Sequence, residues 1–263
     1  MPSHRRISGR IQTLQELRQI LGGLKTTALV ETHKLNRFGT SQSKVVESVQ
    51  SALRELLFSY PMPLPEAEQE ILVVIGSERG FCGDYNRELC RRLEQRPLSK
   101  RIAVGQRLHS KLSGEYLALD GAAVVEEVPH VLSSLAESLS AFPGADVWVL
   151  YQAPDEKGVV EKRILSPFEE ATESPRHGFS PRLNLAPREL LAKLLEHYLL
   201  AALQEIFLLA LLAENQRRLQ HLEGAIHHLE DKEQGLKINL NRLRQEEITQ
   251  ELEVIMLNYE SLT

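Results

Sequence analysis

Cysteine is almost missing from this chain. Only Cys82 and Cys90 occur in 263 residues, which excludes a disulfide scaffold and a cysteine-rich zinc site and suits a reducing compartment. Aromatic residues are 5% of the chain, with one tryptophan. That is low for a chain built mostly of strands, and the composition leans toward helix. Proline is absent from residues 5–59 and again from 188–260. No one sign of charge dominates: 31 Lys and Arg stand against 36 Asp and Glu, a net of -5. A strongly basic nucleic-acid binder is thereby excluded as a reading of the whole chain. No long hydrophobic run occurs either. The most apolar stretch, Tyr198 to Ala213, contains Gln204 and Glu205 and follows Lys193 and Glu196. It is too short and too interrupted for a membrane span and reads as a helix buried on nearly every side. The start, Met1 to Arg6, is basic, but Ile7 to Leu24 mixes Leu and Ile with Gln, Arg and Glu. No signal peptide is expected there.

What is present falls into three parts, with expected boundaries at 1–60, 66–187 and 188–263. In the first, Leu14, Leu17, Leu21, Leu24, Ala28, Glu31, Leu35 and Phe38 follow a 3,4 spacing with one charged member, an expected helix seam. Val45, Val49, Ala52 and Leu56 continue it after Gly39, and Pro61, Pro63 and Pro65 stop the helix. Unbroken, it would be roughly 80 Å long at the rise of an α-helix. Gly22 and Gly23 inside it are costly, and two readings stand: neutral drift, or a place where another backbone approaches closely.

The middle part changes period. Ile71 to Ile75 is a continuous apolar run, the mark of a strand buried on both faces. A glycine-rich loop, Gly76 to Gly83, follows, then a helix from Tyr85 to Leu93. Strands are expected at Ile102–Gly105, Asp146–Tyr151 and Val159–Leu165, and helices at Arg107–Leu112 and Val131–Phe142. Alternation of this kind implies a mainly parallel, helix-covered sheet. Pro167 to Pro187 reads as an extended return.

The last part is helical again. Leu219, Leu222, Ile226, Leu229, Glu233, Leu236, Leu240 and Leu243 hold a heptad with one charged member. The seam is expected to slip by one residue there and resume at Ile248, Leu252, Ile255, Tyr259 and Leu262. The expected fold class is α/β. Two long terminal helices form an antiparallel coiled-coil stalk, and a Rossmann-like, mainly parallel α/β domain is inserted between them.

Four motifs point to a family. Arg244-Gln245-Glu246-Glu247-Ile248-Thr249-Gln250-Glu251-Leu252 resembles the R-Q-x-x-I-T-Q-E-L segment of the gamma subunit of F-type ATP synthases. Ala213 to Gln216 with Arg218 resembles its A-S-E-x-x-x-R stretch. Arg79-Gly80-Phe81-Cys82-Gly83-Asp84-Tyr85-Asn86 resembles R-G-L-C-G-x-x-N, with Arg79, Gly80, Cys82, Gly83 and Asn86 the matching residues. Ile7-Ser8-Gly9-Arg10-Ile11 with Gln15 resembles the family's start. Ile226-His227-His228 stands where the family has T-D-N, and Leu24 to Val30 replaces a segment of small residues. These departures suggest a divergent branch, such as the sodium-linked bacterial type.

The resemblance implies a rotor shaft with no chemistry and no cofactor of its own. Its partners would be the alpha and beta subunits of the catalytic hexamer, an epsilon-type subunit and the membrane c-ring. It would sit peripherally on the cytoplasmic face of a bacterial membrane without spanning it. Arg244 and Gln245 would form the catch on a beta subunit. Ile248, Leu252, Ile255 and Met256 would be the tip that bears on the hexamer. Residues 71–187 would lie outside the hexamer, with Arg176 to Arg182 near the c-ring loops.

Other chemistry is poorly supported. The Gly76–Gly83 loop lacks a Gly-Lys-Ser/Thr ending and does not fit G-x-G-x-x-G. His221 and His228 are two turns apart without a third ligand in reach. Cys82 near a helix start has no His–carboxylate pattern beside it. Glu246-Glu247 and Glu126-Glu127 are adjacent pairs that face different ways and make no acid–base dyad. Two alternatives to the shaft stand: a coiled-coil adaptor, and a small Rossmann-like enzyme with helical arms. The heptads alone suit the adaptor, but the Arg244 to Leu252 segment does not follow from it.

Overall fold

The computed structural model describes residues 2–62, 69–96, 100–154, 158–164 and 181–260. Two helices dominate the element order: α1, Pro2–Ser59, of 58 residues, and α5, Pro187–Glu260, of 74. α1 ends where Tyr60 N–H bonds to the Leu56 carbonyl at 2.8 Å and Pro61 follows. A proline there has no N–H to carry the ladder on. α5 opens on Pro187, whose fixed φ suits a first turn, with Glu189 against the positive helix end.

Between them lie β1 (Glu70–Ile75), α2 (Tyr85–Glu94), β2 (Lys100–Val104), α3 (Gln106–His109), β3 (Leu117–Leu119), α4 (Val128–Ser140), β4 (Asp146–Gln152) and β5 (Val159–Arg163). The sheet order is β3-β2-β1-β4-β5. Every pairing is parallel except β4 with β5. Val73 stands opposite Ile102 on one side and Val149 on the other, so β1 is central. Its residues Ile71 to Ile75 are all buried, as an uninterrupted apolar run requires when both faces are covered.

The chain divides into two units, Ala28–Arg218 and Met1–Thr27 with Leu219–Thr263. In the larger one, alternate strand residues serve opposite cores. Ile71, Val73, Ile102, Val104, Val147 and Val149 share a core with α4 and with Leu35, Leu53, Ala202 and Ile206 of the long helices. Leu72, Val74, Ala103 and Leu150 pack on Tyr85, Leu89 and Leu93 of α2, Leu108 of α3 and Ala213 of α5. Each buried Val, Leu or Ile among them contributes about 1.5–3 kcal/mol by leaving water. The two helices run antiparallel here: Gln42 Nε2 donates to the Ala201 carbonyl at 2.9 Å, and Gln50 Nε2 to the Tyr198 hydroxyl at 3.2 Å. The Tyr198–Ala213 stretch is the core helix the sequence implied. The helix that contains it, over Pro187–Met256, is long and apolar enough by length and composition to cross a membrane, but half of its apolar window is buried within the protein.

The smaller unit is an antiparallel helix pair. Lys25 Nζ meets Glu223 at 2.7 Å, Arg18 meets Glu230 at 3.6 Å, and Gln15 Nε2 donates to Glu233 at 2.7 Å. As the number rises on α1 it falls on α5. Nothing lies within 4 Å of a Cβ added at Gly22 or Gly23, so a close approach of α5 at that pair is not the reason for the glycines.

Several sequence expectations need correction. Leu17, Leu24 and Phe38 were assigned to the α1 seam, yet they are 44%, 40% and 54% exposed. The buried line instead takes Ile11, Ala28, Glu31, Leu35, Val46, Leu53 and Leu56, with Val45 also out of it. α1 carries apolar residues on two adjacent stripes, and only one can face α5. The expected slip near Leu243 does not occur. The half-buried line runs on from Leu243 to Glu247, while Ile248, Leu252 and Ile255 are exposed. The short strand β3 was missed, and the helix expected over Arg107–Leu112 is the single turn α3.

Candidate functional site

Two regions carry the singled-out residues, one in each unit. In the larger unit the loop after β1 is fixed at both ends. Gly76 is obligatory: an added Cβ would stand 2.4 Å from Leu108 Cβ. Asn86 Oδ1 accepts Ser77 N–H at 2.9 Å, and its Nδ2 donates to Ser77 Oγ at 2.8 Å. Glu78 Oε2 accepts the amides of Gln106 at 3.0 Å and Gly121 at 2.8 Å, tying the loop to its neighbours. Gly83 has φ +57° and Phe81 has φ +64°. The second is uncommon for a bulky residue, and it leaves the phenyl ring half exposed.

Below the loop lies a buried ionic knot. Arg218 is 6% and Glu214 2% exposed, and they are paired one turn apart on α5. Arg218 Nε donates to the Gly80 carbonyl at 3.1 Å, and its Nη1 to Asn215 Oδ1 at 2.8 Å. Its Nη2 also reaches Cys82 Sγ at 3.4 Å. Cys82 Sγ in turn lies 3.2 Å from the Arg79 carbonyl and 3.3 Å from that of Gly80. Tyr85 hydroxyl donates to the Ala210 carbonyl at 3.2 Å. Gln152 Nε2 holds the Tyr85 carbonyl at 2.8 Å and Glu88 at 2.9 Å.

The titration pattern suits a joint and not a reactive centre. Burial, and then the Glu214 charge, push the Cys82 thiol up to about 12. A protonated thiol is a poor nucleophile. Burial raises Glu214 too, against the opposing pull of Arg218. The loop that resembles a phosphate cradle is instead a bracket that grips α5. Arg79, Gly80, Cys82, Gly83 and Asn86 belong to this one bracket, and Arg79, Gly80 and Cys82 meet Glu214 or Arg218 from the second motif. The sequence carried both motifs but no signal that they touch.

In the smaller unit Arg244 and Gln245 are exposed on α5, where Thr249 Oγ1 donates to the Gln245 carbonyl at 2.9 Å. Further along α5, Ile248, Leu252, Ile255 and Met256 are each at least half exposed. His221, His227 and His228 are exposed as well, with His227 Nδ1 3.6 Å from Glu230. Among the described residues no group of three His, Cys, Asp or Glu side chains is placed to hold a metal ion.

Two buried carboxylates make polar contacts that the sequence pattern does not specify. Glu31 is buried in the larger unit and accepts Lys34 Nζ at 3.0 Å, which also reaches Glu126 at 2.9 Å, a clasp from α1 to the turn before α4. Glu233 is buried in the smaller unit under Gln15 and Lys237. Their sole sequence signal was a charge on each heptad seam.

Within the larger unit, α1 and α5 run antiparallel against a mainly parallel α/β domain, and the Arg218–Glu214 joint ties α5 to its first loop. The model of the ATP synthase family matches residues 3–262, and the chain belongs to that family. The ATP synthase gamma chain of Clostridium botulinum strain Hall is 25% identical over 207 residues, 72% of each chain. That of Pelotomaculum thermopropionicum is 25% identical over 281 aligned positions, covering 97% of this chain and 98% of the relative. Among solved structures, the fold matches a chain of the Euglena gracilis mitochondrial ATP synthase rotor with TM-score 0.64 and 14% identity, covering 94% of this chain and 99% of that one. A second Euglena gracilis structure, of OSCP, F1 and c-ring, gives 0.67 at 14% identity, covering 99% and 95%.

Proposed function

We propose that the chain is the central rotor shaft, the gamma subunit, of an F-type ATP synthase. It couples rotation of the membrane c-ring to conformational change at the catalytic sites of the alpha–beta hexamer. The observation that carries this reading is the exposed apolar stretch of α5 past Leu243. Its exposed Ile248, Leu252, Ile255 and Met256 stand beside Arg244 and Gln245, in a chain of the ATP synthase family. An apolar end of this kind suits a greasy bearing, and a long Arg–Gln pair suits a catch on carboxylates.

The physical logic is differential binding. A shaft that touched every beta subunit alike would shift no equilibrium. An asymmetric one favours a different conformation at each site, so the sites differ in nucleotide affinity, and turning the shaft cycles them. The chain performs no bond chemistry itself and belongs to a membrane-associated complex, on its cytoplasmic face. Its α/β domain lies outside the hexamer, toward the c-ring and an epsilon-type subunit. Arg176 to Ser180, expected near the ring, fall outside the described residues.

Arg244 grips a beta-subunit carboxylate in this reading, with a fork that lysine cannot reproduce. The double change Arg244→Ala with Gln245→Ala is expected to leave assembly intact. A charge-assisted bond is worth roughly 1.5–3 kcal/mol, so coupled turnover should drop about tenfold or more. Full coupled turnover in the assembled double variant would remove the catch. Failure of the unaltered chain to join a hexamer would remove the shaft.

A further inference from the structure

The apolar seam of the helix-pair unit has a carboxylate near its middle. The side chains most withdrawn from solvent in that unit are Leu222, Glu233 and Ile11, and Glu233 is only 4% exposed. Gln15 Nε2, from α1, donates to it at 2.7 Å. Lys237 Nζ, one turn along α5, lies 2.7 Å away. Arg18 stands 3.6 Å from its second oxygen and also 3.6 Å from Glu230. Lys237, then Gln15, hold the Glu233 carboxyl below the usual range, so it is ionised at neutral pH. Every other α5 seam position from Leu222 to Leu243 is apolar.

A leucine at this position would pack at least as well. Exchanging a buried ionic group for an apolar one of similar volume is often neutral or stabilising, so stability does not explain the charge. What apolar contacts lack is direction. A hydrogen bond has it, and one polar layer in an apolar seam fixes alignment at some cost in stability. The flanks make that alignment matter. α1 has Gly9, Gly22 and Gly23 here, and α5 has Gly224 and Gly235, none with a heavy atom within 4 Å of an added Cβ. Glycine loosens a helix, and no packing at these five positions demands it.

We propose that Glu233, with Gln15 and Arg18 across the seam, is a positioning residue that fixes the rotational phase of α5 against α1, and so the one direction in which Arg244 and Gln245 face. The value of that direction to a rotor rests on the function proposed above; the phase does not.

The test uses the full chain alone. Spin labels go on Arg6→Cys and Arg242→Cys, exposed positions at the end that bears Arg244. Cys90→Ser removes the half-buried thiol, and the buried Cys82 stays unlabelled. The unaltered seam should give one narrow inter-label distance. Glu233→Gln keeps an oxygen for Gln15 and Lys237 and should give the same. Glu233→Leu should melt at or above the parent midpoint, yet broaden the distribution at least twofold or split it. A single narrow distance in Glu233→Leu would overturn the proposal. So would a lowered midpoint in Glu233→Leu with the distance kept, because the carboxylate would then serve stability alone. No partner subunit enters the measurement, so its outcome is independent of the rotor reading.

Discussion

Replacing Arg218 by alanine would leave Glu214 a buried carboxylate with no counter-ion. The guanidinium also serves the Gly80 carbonyl at 3.1 Å and Asn215 at 2.8 Å, so the bracket loses its grip on α5 in the same step. Removing one partner of a buried ion pair costs about 3–5 kcal/mol. For a unit of this size each kcal/mol moves the thermal midpoint by roughly 2–4 °C, so a fall of about 6–20 °C is expected. Circular dichroism melts at pH 7 read it. The pH dependence adds a sign. Burial already raises Glu214, and without Arg218 only the backbone amides of Arg79 and Glu78 oppose it. A carboxyl whose folded pKa lies above its unfolded value binds more protons when folded, so stability is lost as pH rises toward that folded pKa. The Arg218→Ala melt should therefore recover as pH is lowered from 7 toward about 5. Arg218→Met with Glu214→Gln removes both charges and should cost far less than the single change. The reasoning is refuted if Arg218→Ala melts within about 2 °C of the parent and shows no recovery in acid.

Packing and burial elsewhere in the chain set further outcomes. Gly22→Ala with Gly23→Ala meets open space and should stabilise the helix pair by about 1 kcal/mol per site; a lowered midpoint would contradict that. Gly76→Ala must displace Leu108 and should cost about 1–3 kcal/mol by overpacking, read by denaturant titration. Iodoacetamide at pH 8 should modify Cys90 well before Cys82, whose thiol is buried and pushed up to about 12; mass spectrometry of the peptides settles the order.

The long helices were legible because they carry no proline and a sustained apolar period over dozens of residues. Buried strands such as Ile71–Ile75 were legible from unbroken apolar runs. The α1 seam was not, because Leu17, Ile20 and Leu24 form a second apolar stripe beside the true one. Periodicity reports that a face is apolar, not which partner covers it. The same ambiguity produced the expected slip after Leu243: Ile248, Leu252 and Ile255 keep an apolar spacing though they are exposed. The three-residue strand Leu117–Leu119 is too short to show any period. The Arg218–Cys82 contact joins residues more than a hundred positions apart, and no local pattern encodes such a pairing.

The central claim is that this chain occupies the middle of a rotary hexamer. Co-expression of the tagged chain with alpha and beta ATP synthase subunits, followed by affinity purification and native mass spectrometry, tests it most directly. The expected result is one copy of the chain held by one hexamer of alternating alpha and beta subunits. Recovery of the chain free of both subunits, while they assemble without it, would contradict the claim.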